Sequence, residues 1–343
     1  MRLRTMMHRA TPSHMRIFRD YKAVPATARG ASAAIGNFDG VHLGHRAVID
    51  LARTKGLATS APLGILTFEP HPREYFAPDA PPFRLMGPAA RASRLAKLGV
   101  EILYELPFDA GMAALNPESF ARDVIANGLG LRHVVVGKDF CFGKGRAGTA
   151  TVLAEFGAQL GFGVTAADLL EGQEGEVSST AIRRALSEGH PRSAAEMLGH
   201  WHRIEGTVMG GERRGRELGY PTANMSIAGL HPPRFGVYAV LVDVLNGAHA
   251  GQYTGAASLG VRPMFDGEVP NLETFIFDFT GDLYGADLSV ALVDYLRPEA
   301  KFDSLEAFIA QMDGDCASAR RILEALSPPP CARDIGRIPT PPA

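Results

Sequence analysis

The chain is poor in features that would fix its class at once. It has three cysteines, Cys141, Cys316 and Cys331, an odd number at wide spacing. They make neither a disulfide framework nor a zinc motif, and they fit a reducing, cytoplasmic setting. No apolar run approaches the roughly twenty residues of a membrane span, so no membrane association is expected. The formal net charge is only −2, so no global field draws the protein to nucleic acid or an anionic surface, and no nucleic-acid partner is expected. No internal repeat is visible. Acidic residues are missing before Asp20, while Arg2, Arg4, His8, Arg9 and His14 lie in that stretch. Residues 1–14 read as a disordered basic tail. An organelle presequence, or a start assigned upstream of Met15, are the alternatives.

What is present suits an ordinary globular chain. At 343 residues and 46% hydrophobic content it supports two cores. In the first half, apolar runs at 33–35, 63–68, 101–106, 133–136 and 163–166 alternate with helical stretches at 43–54, 88–98, 117–127 and 150–159. Asn116 is placed to cap the third of these. Alternation of this kind predicts an α/β domain with a doubly wound parallel sheet. Two short helices, 181–186 and 192–198, lead to Gly199-His200-Trp201-His202, where a boundary is placed. Beyond it, runs at 203–208, 235–244, 252–259, 272–279 and 288–295 follow one another with glycine turns and no helical period. They predict an antiparallel β-barrel. A closing helix over 304–326 carries the apolar stripe Leu305, Phe308, Ile309, Met312, Cys316, Ala319 and Leu323, with Asp303 and Glu306 as its capping box. The expected organisation is a tail (1–14), a first domain (15–200), a second domain (201–327) and a disordered Pro-rich tail (328–343).

The most informative segment is Gly36-Asn37-Phe38-Asp39-Gly40-Val41-His42-Leu43-Gly44-His45. It reads as strand, glycine turn, helix start, an arrangement that aims backbone N–H groups and the helix dipole at an anion. His42 and His45 fall one helical turn apart, and Gly44 keeps a side chain out of a phosphate's approach. The segment resembles the H-x-G-H signature of the nucleotidyltransferases. With its flanking residues it is similar to the FMN adenylyltransferase module of the bacterial bifunctional riboflavin kinase/FAD synthetases. Three more segments carry the resemblance: Thr67-Phe68-Glu69-Pro70-His71-Pro72, the glycine-rich run from Val136 to Gly148, and Val177-Ser178-Ser179-Thr180-Ala181-Ile182-Arg183.

The resemblance implies that the FMN phosphate attacks the α-phosphorus of ATP. His42 and His45 would be the catalytic pair, and Gly36, Asn37, Phe38 and Gly44 would bind nucleotide. Ser178, Ser179, Thr180 and Arg183 would hold the leaving pyrophosphate, and Phe68, His71, Asp139, Phe140 and Phe142 would meet the flavin. Read singly, the serines make a helix cap, His71 a turn residue, and the phenylalanines a half-buried strand.

In the second half, Gly219-Tyr220-Pro221-Thr222-Ala223-Asn224 resembles the Pro-Thr-Ala-Asn motif of riboflavin kinases. The resemblance implies ATP binding at Gly219 and Pro221, and Mg²⁺ held by the oxygens of Thr222 and Asn224. Without it the segment would read as a loop. On a period-2 strand Glu273 shares a face with Phe275 and Phe277, an unusual place for a carboxylate without a task or a partner. The family places its catalytic base at the matching position, acting on the riboflavin 5′-hydroxyl. The alternative is an ion pair with Arg262 or Arg297. Arg297 borders the flavin in the family's pattern or serves as a packed hinge. Met264 and Phe275 depart from that pattern, where threonine and histidine are common.

Together these motifs imply an enzyme making FMN from riboflavin in the barrel and FAD from FMN in the first domain. The substrates are ATP, riboflavin and FMN. Retention of a single activity, or a flavin-binding regulator without turnover, are the competing readings. Family members include assemblies, so a homo-oligomer is compatible with the resemblance.

Overall fold

Six short apolar segments make the first sheet: β1 (Arg16–Phe18), β2 (Ser32–Ile35), β3 (Leu63–Glu69), β4 (Ile102–Pro107), β5 (His133–Gly137) and β6 (Gly163–Ala167). The structure is a computed structural model that describes residues 15–168, 171–172, 175–210, 220–264 and 267–326. The expected tails, Gly219, Phe265 and Cys331 lie outside the described residues, as do the side chains of Arg262 and Met264. The order is β1-β4-β3-β2-β5-β6 and every pairing is parallel. Runs such as Val134-Val135-Val136 in β5 are buried without alternation, as expected when both faces are covered. β2 lies between β3 and β5, so the strand order reverses there. The turns leaving β2 and β5 emerge side by side at the carboxyl end, where open α/β sheets take their ligands.

Helices α1 (Leu43–Thr59), α2 (Pro88–Lys97) and α3 (Ala150–Leu160) match the sequence reading. The expected helix at 117–127 differs. Asn116 caps it as foreseen, its Oδ1 accepting from the Ser119 N–H at 2.7 Å. After Pro117–Ser119, however, the chain widens into a π-helix over Phe120–Leu129 that buries Phe120, Val124, Ile125 and Leu129. No residue pattern announced the wider turn. The sequence also gave no sign of β1 or of the short helices Pro72–Phe76 and Ala110–Ala114.

The second sheet is wholly antiparallel: β7 (Arg203–Thr207), β8 (Thr222–Ser226), β9 (Gly236–Val244), β10 (Gly251–Met264), β11 (Gly267–Ile276) and β12 (Asp287–Arg297). Its order is β7-β12-β9-β10-β11-β8. A bridge from the Met209 N–H to the Asn224 carbonyl, 2.9 Å, draws its two outer edges together into a nearly closed barrel. Along β9, Tyr238, Val240, Val242 and Val244 fill the interior, while Ala239 and Leu241 face outward onto helical cover. β8, which reads as a loop on composition, is a strand because it pairs residue for residue with β11.

The closing helix α6 (Leu305–Glu324) follows α4 (Ser179–Glu188) and α5 (Pro191–Leu198) in this part of the chain. Its cap is Ser304, whose Oγ accepts from the Ala307 N–H, so the expected Asp303 capping box is corrected by one residue. Its stripe packs through Cys316, Ala319 and Leu323, whereas Leu305 stays 51% exposed. Trp201 packs with Ala195, Ala291 and Val293. The chain divides into two compact units. The segments Asp39–Gly44 and Ala80–Arg91, with the chain from Leu170 onward, group with the barrel rather than with the parallel sheet.

Candidate active sites

The turn after β2 is held by contacts that no local motif reveals. Asp39 is buried, and its Oδ1 accepts from the Leu85 N–H at 2.8 Å and the Met86 N–H at 3.4 Å. Its Oδ2 accepts from Arg183 Nη2 at 2.5 Å. Arg183 Nε donates to the Phe83 carbonyl, and its guanidinium stands 5.3 Å from the Phe83 ring centroid. Burial pushes the Asp39 carboxyl above its ordinary range, against the pull of Arg183 and the two backbone donors. Ser179 Oγ donates to the Asp39 carbonyl at 2.8 Å. His200 Nε2 lies 3.1 Å from the Gly40 carbonyl, and its Nδ1 lies 2.8 Å from that of Trp201. The grip holds Val41 at φ 44°, a left-handed conformation that a β-branched residue rarely takes.

This arrangement sets the state of His42. Burial, then the positive charges of Arg183 and His200, lower its pKa to about 4. At neutral pH the imidazole is therefore uncharged, with one ring N–H able to donate. Gly44 serves that ring directly, since a Cβ there would lie 3.1 Å from His42 Nδ1 and 3.3 Å from the Val177 carbonyl. An added side chain at Gly44 would therefore press on the His42 imidazole. One turn on, the His45 ring stands 5.1 Å from that of buried Phe38.

The phosphate segment at α4 splits by role. Ser178 caps the helix, accepting from the Ala181 N–H. Ser179 and Arg183 brace Asp39, and Thr180 is exposed. Asn37 is exposed, with its carbonyl accepting from Thr67 Oγ1, and Gly36 leaves room for the Phe38 ring.

On the parallel-sheet unit, three of the residues expected at a flavin share one aromatic cluster. Phe68 meets Phe108 and Phe120, Phe120 meets Phe142, and Phe142 stacks on Phe140 with centroids 5.6 Å apart. Phe142 and Phe120 are buried and Phe68, Phe108 and Phe140 half-buried, giving an apolar platform with partly accessible rings. His71 caps the helix Pro72–Phe76, its Nδ1 accepting from the Arg73 N–H. Asp139 is exposed on the turn after β5.

In the barrel, register carries the geometry. Asn224 on β8 lies directly opposite Glu273 on β11, and Thr222 lies opposite Phe275. Glu273 is half-buried and shares its face with Phe275, as the period-2 reading required; Leu272 and Ile276 fill the barrel on the other face. Asn224 Nδ2 donates to the Thr222 carbonyl at 3.2 Å, and its Oδ1 accepts from Asn271 at 3.2 Å. A cavity of about 250 Å³ opens beside Thr222, lined by Pro221, Ile276 and the loop from Phe279 to Tyr284. That loop was missed in the sequence, where it reads only as a turn between strands.

Arg297 is not the partner of Glu273. Its Nη2 donates to Asp315 Oδ2 at 2.7 Å and its Nε to the same oxygen at 2.9 Å, while Gln311 Nε2 donates to Asp315 Oδ1. The pair ties the end of β12 to α6, the packed-hinge arrangement.

Comparison with known proteins finds two modules along the chain. Residues 24–181 match the FAD synthetase family model, and residues 198–323 match the riboflavin kinase model. The bifunctional riboflavin kinase/FMN adenylyltransferase of Pseudomonas fluorescens is 38% identical over 295 residues, covering 86% of this chain and 93% of that protein. The Escherichia coli K12 enzyme of the same name is 36% identical over 303 residues, covering 88% and 96%. A crystal structure described as a macrolide-efflux protein from Streptococcus pneumoniae superposes with a TM-score of 0.77 at 30% identity, covering 91% of this chain and 99% of that one. Among the described residues no helix is long and apolar enough to cross a membrane. With both modules matched in this order over most of its length, the chain belongs to the bifunctional riboflavin kinase/FMN adenylyltransferase family.

Proposed function

We propose that residues 15–200 form the adenylyltransferase domain and residues 201–327 the kinase domain, with the site residues named above in distinct roles. The chain makes FMN from riboflavin and ATP, then FAD from FMN and a second ATP.

In the kinase step, Glu273 takes the proton of the riboflavin 5′-hydroxyl as its oxygen attacks the γ-phosphorus, and ADP leaves. Thr222 and Asn224 present neutral oxygens, a donor set that suits a hard cation arriving with phosphate charge. Bound there, Mg²⁺ would supply charge neutralisation on the phosphates. Pro221 and the loop from Phe279 to Tyr284 would enclose the nucleotide. The observation that carries this reading is the register pair Asn224–Glu273, with Asn224 two residues along β8 from Thr222 at the cavity wall.

In the adenylyl step, a phosphate oxygen of FMN attacks the α-phosphorus of ATP and pyrophosphate leaves. His42, uncharged in the resting protein, donates a hydrogen bond to the charge building on the α-phosphate, and His45 assists. Gly36, Asn37, Phe38 and Gly44 shape the turn. Ser178, Ser179 and Thr180 sit at the positive end of α4, where the leaving group is held. Arg183 contributes through Nη1, since Nε and Nη2 grip Phe83 and Asp39. Phe68, Phe140 and Phe142 form the apolar platform for the flavin, with His71 and Asp139 at its edge and Arg297 fixing the kinase hinge. We assign a cytoplasmic location, no nucleic-acid partner and a homo-oligomer as the compatible assembly.

The test is a single reaction of purified protein with riboflavin, ATP and Mg²⁺, with flavins separated over time. FMN should rise first and FAD replace it. No FAD even from supplied FMN would overturn the adenylyltransferase assignment, and no FMN would overturn the kinase assignment.

A further inference from the structure

Tyr220 stands immediately before Pro221 and Thr222, at the wall of the barrel cavity, and its side chain turns away from that cavity towards the closing helix. Its hydroxyl donates to Asp313 Oδ1 on α6 at 2.5 Å. Its ring meets Phe275 edge-on, with centroids 5.2 Å apart and planes at 65°. Phe275 is the residue paired with Thr222 across β8 and β11. The same ring therefore touches the strand partner of Thr222 while its hydroxyl is tied to α6. Two further contacts fix α6 around that point. Arg297 is bound to Asp315, two residues beyond Asp313. Arg320 pairs with Asp278 at 2.8 Å and covers the Phe277 ring at 4.2 Å. The helix is thus anchored to the ends of β12 and β11, and Tyr220 is the tether by which it reaches Thr222.

We propose that Tyr220, held by Asp313, is a positioning residue for riboflavin phosphorylation: it fixes Pro221 and Thr222 at the nucleotide cavity from the closing helix. This rests on the assignment of Thr222 to the phosphate site. Tyr220 touches no reacting atom. Its ring supplies contact area against Phe275, and its hydroxyl supplies direction through a charge-assisted hydrogen bond. The strength of that bond to Asp313 is consistent with the Tyr220 phenol being pushed up to about 12. Releasing the tether frees Thr222 without emptying the barrel core, so the loss falls on nucleotide binding geometry rather than on folding.

The experiment uses the full chain with Tyr220→Phe, Asp313→Ala, the double variant and Asp313→Asn, measured for FMN formation and separately for FAD formation from supplied FMN. Tyr220→Phe should raise KM for ATP in the kinase reaction by about tenfold, the size of one charge-assisted hydrogen bond. FAD formation and melting temperature should be unchanged. Asp313→Ala should match it, the double variant should be no worse than either alone, and Asp313→Asn, which keeps an acceptor oxygen, should recover most of the loss. Additive losses in the double variant, an unchanged KM for ATP in Tyr220→Phe, or equal losses in both half-reactions would overturn the proposal. Thr222→Ala separates the two readings. If it leaves FMN formation intact, the phosphate-site assignment has failed. If it abolishes FMN formation while Tyr220→Phe does nothing, only the tether has failed.

Discussion

Asp39 and Arg183, 144 residues apart in the chain, form a buried ion pair that fixes the loop carrying His42. The carboxylate bonds the backbone of Leu85 and Met86, and the guanidinium bonds the Phe83 carbonyl, so one pair links three distant segments. Removing one partner leaves the other charged and buried. Asp39→Ala is therefore expected to destabilise the protein by about 3 kcal/mol, the usual scale for breaking a buried pair. Urea unfolding measures this. FAD formation should fall with it, while FMN formation at a temperature where the variant stays folded should persist. A loss of FAD formation with no change in stability would mean that Asp39 contacts substrate instead.

Gly44 tests whether the His42 ring or a phosphate claims the space above the helix start. An added Cβ would press on the imidazole at 3.1 Å and on the Val177 carbonyl at 3.3 Å. Gly44→Ala should displace the ring by a fraction of an ångström, and misplacement of a catalytic group on this scale costs up to about 100-fold in rate. The expected result is a fall in kcat for FAD formation larger than the change in KM for ATP. The reverse, a raised KM with kcat retained, would return Gly44 to the phosphate.

The fold was legible where local signals and tertiary packing agree. The parallel strands announce themselves because both their faces are buried, and Asn116 and Ser178 cap helices as their side chains dictate. β8 was not legible, because Thr222 to Ser226 has no strand composition and becomes a strand only by pairing with β11. The π-helix at Phe120–Leu129 has no residue marker at all. At the sites, the motif residues stood out but their partners did not. Nothing near Leu85, Met86 or His200 in sequence says that they grip Asp39 and Gly40. Arg297 invited pairing with Glu273 because both were charges flanking strands, whereas the structure gives it to Asp315 on a helix.

Glu273→Gln keeps the size of the side chain and its place opposite Asn224 but removes the base. General-base removal typically costs about 100- to 10,000-fold. FMN formation should fall by that order while FAD formation from supplied FMN is untouched, which chromatographic separation of the flavins will show. Loss of both activities would make Glu273 a structural residue of the barrel.

The buried histidines give the protein a pH dependence whose sign can be worked out. Burial first, then the charges of His200 and His231, lower the His202 pKa from 6.5 to about 3. His42 is lowered to about 4. Between pH 6.5 and these values the unfolded chain binds a proton that the folded chain does not, so stability falls as pH falls. Each such group contributes up to about 1.4 kcal/mol per pH unit in that window. Asp39 works in the opposite sense, because its raised pKa lets the folded state take up a proton first, but it engages only as pH falls through that raised value. From pH 7 to pH 5, His202 alone should remove about 2 kcal/mol. His202→Gln removes this group, so it should flatten the slope of unfolding free energy against pH by one proton. The slope, not the level, is the readout. An unchanged slope in His202→Gln would show that the folded protein protonates this histidine freely, and that burial does not hold it neutral.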